Sequence, residues 1–461
     1  MVKISLFDFE DALIQNKAPI DDKSCEAHDP LFSDEEADLS SLLGKKSDCP
    51  CGREHSCDIQ SVVIRNGALA ELCTLSADYS NITLVCDQNT YPVCGKTEEK
   101  LLADKIGARL IYTSEGFLVP DEAAVLALEK EVSDKTDLIV GVGSGVINDL
   151  CKYVSFKHGL PYFIVATAPS MDGYASKGAA MLFGGMKITV NAAVPRAIIA
   201  DTSVIKDAPL DMLKAGYGDI IGKYSCLNDW RLGVLVTGEP MCDYIYGMTY
   251  RTVERIAGMG GAILRRDEKS IAELMRALVS VGIAMAYMGN SRPASGSEHH
   301  LSHYFEVVGL LRDEPYLCHG IDVAYSTYVT ALLRKKLINI DEPKRRIPTP
   351  VCWESEIKRV YAGGDGSTAD GIIALQKKLG WIYNDRFPLY AEKWDEVRDI
   401  LKDSPSPEKI CTMLESVGLP LSRFDQTYSR TKLDDAIAYA KDLKDRYTVL
   451  WLYGDVTVEN N

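Results

Sequence analysis

The chain has 461 residues, 46% hydrophobic and 25% charged, with a formal net charge of −15 at pH 7. That length exceeds what one core usually fills and predicts at least two domains with a crevice between them, as suits an enzyme. The acidic balance excludes unspecific nucleic-acid binding, and the absence of an apolar run approaching the ~18 residues of a membrane span excludes a membrane partner.

The first residues, "MVKISLFDFEDALIQNK", lack a long apolar stretch and a small-residue cleavage site, which predicts a cytoplasmic protein. Thirteen scattered cysteines, an odd number, are expected as free and mostly buried residues in a reducing compartment. Residues 16–48 have too few apolar positions at either period to define a core element and read as a surface arm, part of an N-terminal extension over 1–58. It ends in "CPCGREHSC", where Cys49, Cys51, His55 and Cys57 could hold a second metal. Because C-x-C departs from the usual C-x-x-C knuckle, a cysteine-bearing hairpin or loop leading into the first strand is favoured.

From about residue 60, the runs "SVVIRNG", "ITLVCD", "ARLIYT", "DLIVGVG", "YFIVATAP" and "RAIIAD" alternate with helical stretches. Continuous apolar strands separated by helices predict a parallel sheet covered on both faces, here an α/β domain over 59–206. Beyond it, "GDIIGKYSCLNDWRLGVLV", "SIAELMRALVSVGIAMAYMG" and "LDDAIAYAKDLKDRY" carry helical spacing, which predicts an all-α domain over 207–461.

"DLIVGVGSGVINDLCKY" reads as strand, glycine-rich turn and helix, with Gly141, Val142, Gly143, Ser144 and Gly145 at the turn. Backbone amides there can approach a pyrophosphate and the helix start adds partial positive charge. The spacing is G-x-G-x-G and follows the fourth predicted strand, so the usual dinucleotide fingerprint is not matched; a tight turn without a ligand needs the same glycines. Asp87, at the end of "ITLVCD", suits an adenosine ribose and favours NAD over NADP. "TAPSMDGYAS" presents Thr167, Ser170, Asp172 and Ser176 at the same carboxyl edge, although an Asx-type turn accounts for such a loop equally well.

Four of the seven histidines lie between 299 and 319. In a helical "SEHHLSHYFEVVGLL", His299 and His303 share a face while His300 points elsewhere, and "YLCHGID" adds His319. A catalytic divalent ion takes about three protein ligands and one open position. The upstream candidate is Asp219 in "KAGYGDIIGKY", read as lying at the start of the first long helix, where an acid also simply favours the helix dipole.

"GVGSGVIND", "TAPSMDGYAS", "GYGDIIGKY", "RPASGSEHHLSH" and "CHGIDV", in this order, resemble the sn-glycerol-1-phosphate dehydrogenases, in particular the bacterial branch within the iron-containing alcohol dehydrogenase and glycerol dehydrogenase superfamily. The resemblance covers roughly residues 60–330 and implies a dehydroquinate synthase-like fold. It implies metal ligation by Asp219, His299 and His319, with zinc or nickel as the ion, and His303 near the substrate. It also implies contacts to NAD(H), or NADP(H), from Gly141 through Gly145, from Thr167, Ala168, Pro169 and Ser170, and from Ser176. Asp172 and Asp219 would meet the substrate.

The implied reaction reduces dihydroxyacetone phosphate to sn-glycerol 1-phosphate, with His303 as proton donor and Asp172 fixing a hydroxyl. A small phosphorylated substrate needs cations, for which Lys223 and Arg292 are the candidates. A homo-oligomer, dimer or larger, is expected. The rival readings are a glycerol or polyol dehydrogenase of the same superfamily, a dehydroquinate synthase-like lyase that recycles its NAD, and a non-catalytic metal or nucleotide sensor.

Overall fold

The computed structural model describes residues 39–46, 49–116, 118–184, 186–347 and 352–458. A short antiparallel hairpin, β1 (Gly44–Lys46) and β2 (His55–Cys57), comes first. Six strands then build one parallel sheet: β3 (Ser61–Arg65), β4 (Ile82–Asp87), β5 (Ile106–Tyr112), β6 (Leu138–Gly143), β7 (Tyr162–Ala166) and, after a second hairpin of β8 (Gly178–Phe183) and β9 (Met186–Asn191), β10 (Ala197–Asp201). Their order is β3-β10-β7-β6-β4-β5.

Each of the six apolar runs becomes one of these strands. The central β6, β7 and β10 are buried at every position, which is why they show no alternation, whereas edge strand β5 carries exposed residues between half-buried ones. The hairpin β8–β9 has no counterpart among the predicted elements. Strand β8 is apolar in sequence but only partly buried, and Gly184, with φ 57°, lies in the turn to β9.

After β6 the chain enters α1 (Gly145–His158), closed by Gly159 in the left-handed region. Beyond β10 every described element is helical. Those that build the site are α2 (Leu210–Ile221), α3 (Lys223–Thr237), α4 (Asp243–Ala257), α5 (Glu268–Met288), α6 (Ser297–Arg312) and α7 (His319–Ile338). The Asp267 side chain caps α5 by accepting the Ser270 amide at 2.9 Å, and Gly289, at φ 72°, ends it.

Two expectations need correction. Helix α5 is long and apolar enough to cross a membrane by composition, with a window of mean hydropathy 1.5, but 94% of that window is buried inside the fold, where α5 serves as a core helix. Of the expected N-terminal arm, residues 1–38, 47 and 48 lie outside the described residues; the remainder is no loose arm. Leu39 and Leu42 are buried, and the Tyr287 hydroxyl on α5 donates to the Leu42 carbonyl at 2.5 Å.

Candidate active site

The chain runs from β4 outward to β5 and then returns to β6 on the other side of β4, so a crevice opens between β4 and β6 at their carboxyl ends, the usual ligand position in such sheets. The two loops there are tied together: Thr90 Oγ1 donates to the Val142 carbonyl at 2.8 Å. Asp87 Oδ1 accepts the Asn89 and Thr90 amides at 2.7 and 2.8 Å, which holds this carboxylate at the crevice edge.

Two glycines of the β6 turn serve packing. A Cβ on Gly141 would lie 2.8 Å from Cys151 Sγ, and one on Gly143 2.6 Å from Ile147 Cβ, so both let α1 press against the strand. Gly145 has only ordinary contacts, 3.5 Å to Met171 Cγ. Ser144 occupies the N-cap without a side-chain hydrogen bond, leaving the first-turn amides of α1 free of a side-chain cap and suited to an anion. The loop after β7 continues this floor, with the Thr167 amide donating to the Gly143 carbonyl at 3.1 Å.

Lys152, which sequence reasoning missed, fixes the loop from inside. Its fully buried ammonium donates to the Gly173 and Gly178 carbonyls at 2.7 and 2.9 Å and to Ser176 Oγ at 3.2 Å. Ser176 is thus an internal strut of the loop, and Ala168 receives the Tyr174 hydroxyl at 2.7 Å. Pro169 lies against Gly216 of α2, at a point where a Cβ would collide with its carbonyl.

Asp219, His299 and His319 converge, one ligand atom from each lying within 4.8 Å of the others. Asp219 lies in the last turn of α2, not in a first turn, so the dipole rationale for an acid there does not apply. Gly218 and Gly320, each next to a member of the trio, let α2 and α7 cross closely. His299 Nδ1 meets Glu298 Oε1 at 2.7 Å, and a carboxylate can only accept, so Nε2 presents its lone pair, 3.5 Å from Asp219 Oδ1. His319 Nδ1 likewise meets Ser302 Oγ at 3.2 Å.

Glu298 and Ser302 are further orienting residues that spacing alone did not mark. Two imidazole nitrogens and one carboxylate oxygen fit a divalent ion with an open position. Electrostatics agree, because Asp172 and Asp219 share the ammonium of Lys223 as their ion-pair partner.

Burial opposes ionisation of Asp219, yet the charge of the Lys223 ammonium beside it holds its carboxyl well below the usual range. For Asp172, burial and the neighbouring Asp219 charge prevail and raise it. Lys223 donates to Asp219 Oδ1 at 2.8 Å and to the Ala294 carbonyl at 3.1 Å, and its ammonium ion-pairs with Asp172 Oδ2 at 2.5 Å. It therefore organises the carboxylates, and its ammonium is fully buried between them.

Arg292, the other expected phosphate cation, is 3% exposed and clamped by Glu239 at 2.6 Å and by the Asp229 and Tyr447 carbonyls at 2.6 and 3.1 Å. It is a strut of the helical half. His303 sits outside the close trio, its ring centroid 5.4 Å from that of His319 and 6.0 Å from that of His299. His300 lies outside the trio: it is fully buried, neither ring nitrogen has a hydrogen-bond partner among the described residues, and burial lowers its basicity far enough to keep it neutral.

A sheet with a nucleotide crevice, followed by helices that gather one carboxylate and two imidazoles, matches a known class. The family described as iron-containing alcohol dehydrogenase matches residues 63–209. The fold resembles a probable glycerol dehydrogenase from Sinorhizobium meliloti, with a TM-score of 0.55 and 14% identity over 86% of this chain and 94% of that one. It also resembles an archaeal Red Sea brine pool alcohol dehydrogenase, with a TM-score of 0.56 and 13% identity over 87% and 97%.

Among individual proteins, the chain is 30% identical over 82% of its length to the glycerol-1-phosphate dehydrogenase (NAD(P)+) of Geobacillus thermodenitrificans, covering 88% of that protein. It is 31% identical to that of Halalkalibacterium halodurans, over 88% of this chain and 95% of the relative. The chain belongs to the glycerol-1-phosphate dehydrogenase family.

Proposed function

We propose that the chain is a cytoplasmic, metal-dependent dehydrogenase that reduces dihydroxyacetone phosphate to sn-glycerol 1-phosphate with NADH, NADPH being the weaker donor because of Asp87. The observation that carries this reading is one hydrogen bond. The Asp172 amide, in the loop after β7 that would border the nicotinamide, donates to Asp219 Oδ2 at 2.9 Å, so the nucleotide edge and the metal-ligand trio share a wall. Cofactor and ion would then address the same substrate carbonyl group.

Asp219, His299 and His319 would hold Zn²⁺ or Ni²⁺, whose chemistry there is Lewis-acid polarisation of a substrate oxygen. His303, one turn after His299 and half-buried, would deliver the proton to the C2 oxygen directly or through one water. Asp172 would orient a substrate hydroxyl while Lys223 balances its charge. On this reading, residues 59–206 form the cofactor domain and 207–461 the substrate domain of a homo-oligomer.

The burial of Lys223 and Arg292 against internal carboxylates and carbonyls favours one alternative, a polyol dehydrogenase acting on unphosphorylated substrate. The test is NADH oxidation after reconstitution with Zn²⁺ or Ni²⁺, comparing dihydroxyacetone phosphate with dihydroxyacetone, then chiral analysis of the product. Preference for the phosphate ester with sn-glycerol 1-phosphate formed supports the proposal. Equal or better turnover of dihydroxyacetone replaces it with the polyol reading, and no net NADH oxidation with either removes both.

A further inference from the structure

The geometry points to a second, structural zinc site formed by Cys49, Cys51, His55 and Cys242, distinct in every residue from the Asp219 trio. One ligand atom from each of the four lies within 4.8 Å of the others. Three side chains come from the β1–β2 connection and β2, and the fourth from the N-cap of α4, 187 residues beyond His55. The sequence pattern alone suggested Cys57 as the fourth member. That residue instead pairs with Gly44 across the hairpin and lies outside the group.

The separations match a tetrahedral ion. Bond lengths of about 2.3 Å to sulfur and about 2.05 Å to imidazole nitrogen place two sulfurs about 3.8 Å apart and sulfur and nitrogen about 3.5 Å apart. Cys49 Sγ is 3.5 Å from Cys242 Sγ, and His55 Nε2 is 3.3 Å from Cys51 Sγ and 3.5 Å from Cys242 Sγ. The first value is much too long for a disulfide, and these cysteines are free.

The surroundings are those of a ligand set. His55 is fully buried, and its Nδ1 lies 3.1 Å from the Tyr287 carbonyl, to which it can only donate. Nε2 therefore carries a lone pair directed at the sulfurs, the arrangement that prepares a metal-binding histidine. Stacking on the Tyr287 ring, centroids 5.6 Å apart, fixes the imidazole plane. Gly52, at φ 75°, donates its amide to the Cys49 carbonyl at 2.9 Å and makes the tight turn that brings Cys49 and Cys51 together.

Three thiolates and one imidazole select zinc over hard cations, and four protein ligands leave no open position, so the role is structural. Binding would release three thiol protons to solvent while the sulfurs and Nε2 each donate one electron pair. The ion would fasten the segment ahead of the sheet to the helical half, beside the last turn of α5.

The test uses the full-length chain expressed in cobalt-supplemented medium and purified under reducing conditions. We expect two divalent ions per chain, with sulfur-to-cobalt charge-transfer absorption in the near ultraviolet and strong tetrahedral d–d bands. Cys51→Ser and His55→Ala should each lose one ion and weaken or abolish that absorption. His299→Ala should lose the other ion and keep the absorption, which separates this site from the proposed catalytic one. Wild-type protein without sulfur-to-cobalt absorption overturns the inference even if the variants fail to fold. A Cys51→Ser variant with unchanged metal content, or a Cys49–Cys242 disulfide in freshly purified protein, overturns it too.

Discussion

Gly218 on α2 and Gly320 on α7 meet backbone to backbone: a Cβ on Gly218 would strike the Gly320 carbonyl oxygen, and one on Gly320 would strike the Ala215 carbonyl oxygen. Neither obstacle is a flexible side chain. The close approach brings Asp219 and His319 to one point, so the helix crossing sets the ligand geometry. Gly320→Ala is expected to cost about 1–3 kcal/mol of stability through overpacking and to lower metal content together with it. Urea unfolding and metal analysis of the purified variant check this; unchanged metal with reduced stability would uncouple the crossing from the site.

His299→Ala and His319→Ala should each lose the ion and turnover together. His303→Ala should retain the ion and lower kcat by about 10²-fold or more, the range for a positioned proton donor. Release of the ion from His303→Ala would place that histidine among the ligands instead.

Glu298 holds the His299 tautomer from a fully buried position. Loss of such an outer partner typically weakens metal binding by about 10–100-fold, so Glu298→Ala should show that shift in a competitive chelator titration. Glu298→Gln retains an acceptor and should fall between alanine and wild type.

Arg292→Ala should leave the KM for dihydroxyacetone phosphate unchanged while lowering stability by about 3–5 kcal/mol, because it strands Glu239 and two carbonyls around a buried gap. A selective rise in KM at unchanged stability would restore Arg292 as the phosphate cation.

Glu98 is fully buried in the sheet half, and neither carboxylate oxygen has a hydrogen-bond partner among the described residues. Burial pushes its pKa up to about 7. Its folded value thus lies above the unfolded one, near ~4.3, and the stability it confers is fully present below that unfolded value and lost as pH rises through about 7. Glu98→Gln should therefore match wild type near pH ~4 and exceed it by about 3–4 kcal/mol at pH ~8, measured by urea unfolding at each pH. A constant difference across that range would mean that Glu98 does not titrate there.

Much of the architecture was legible in the sequence because its causes are local. A strand buried on both faces must be apolar throughout, so β6, β7 and β10 announced themselves, and the glycine turn after β6 could be placed at a strand-to-helix junction. Helical spacing put His299 and His303 on one face before any coordinates. By contrast, the resemblance to known dehydrogenases, not spacing, singled out Asp219 as the third ligand, and the sequence placed it in the wrong turn of its helix.

Only the tertiary structure decided which distant groups meet. Cys242 as partner of the hairpin cysteines, Lys152 under the loop after β7, and the engagement of Lys223 and Arg292 by internal acceptors all depend on helix crossings and chain reversals. Residue type and period report what a segment buries; they do not report which other segment supplies the hydrogen-bond acceptor or the fourth ligand, because that choice is made by packing between segments separated along the chain.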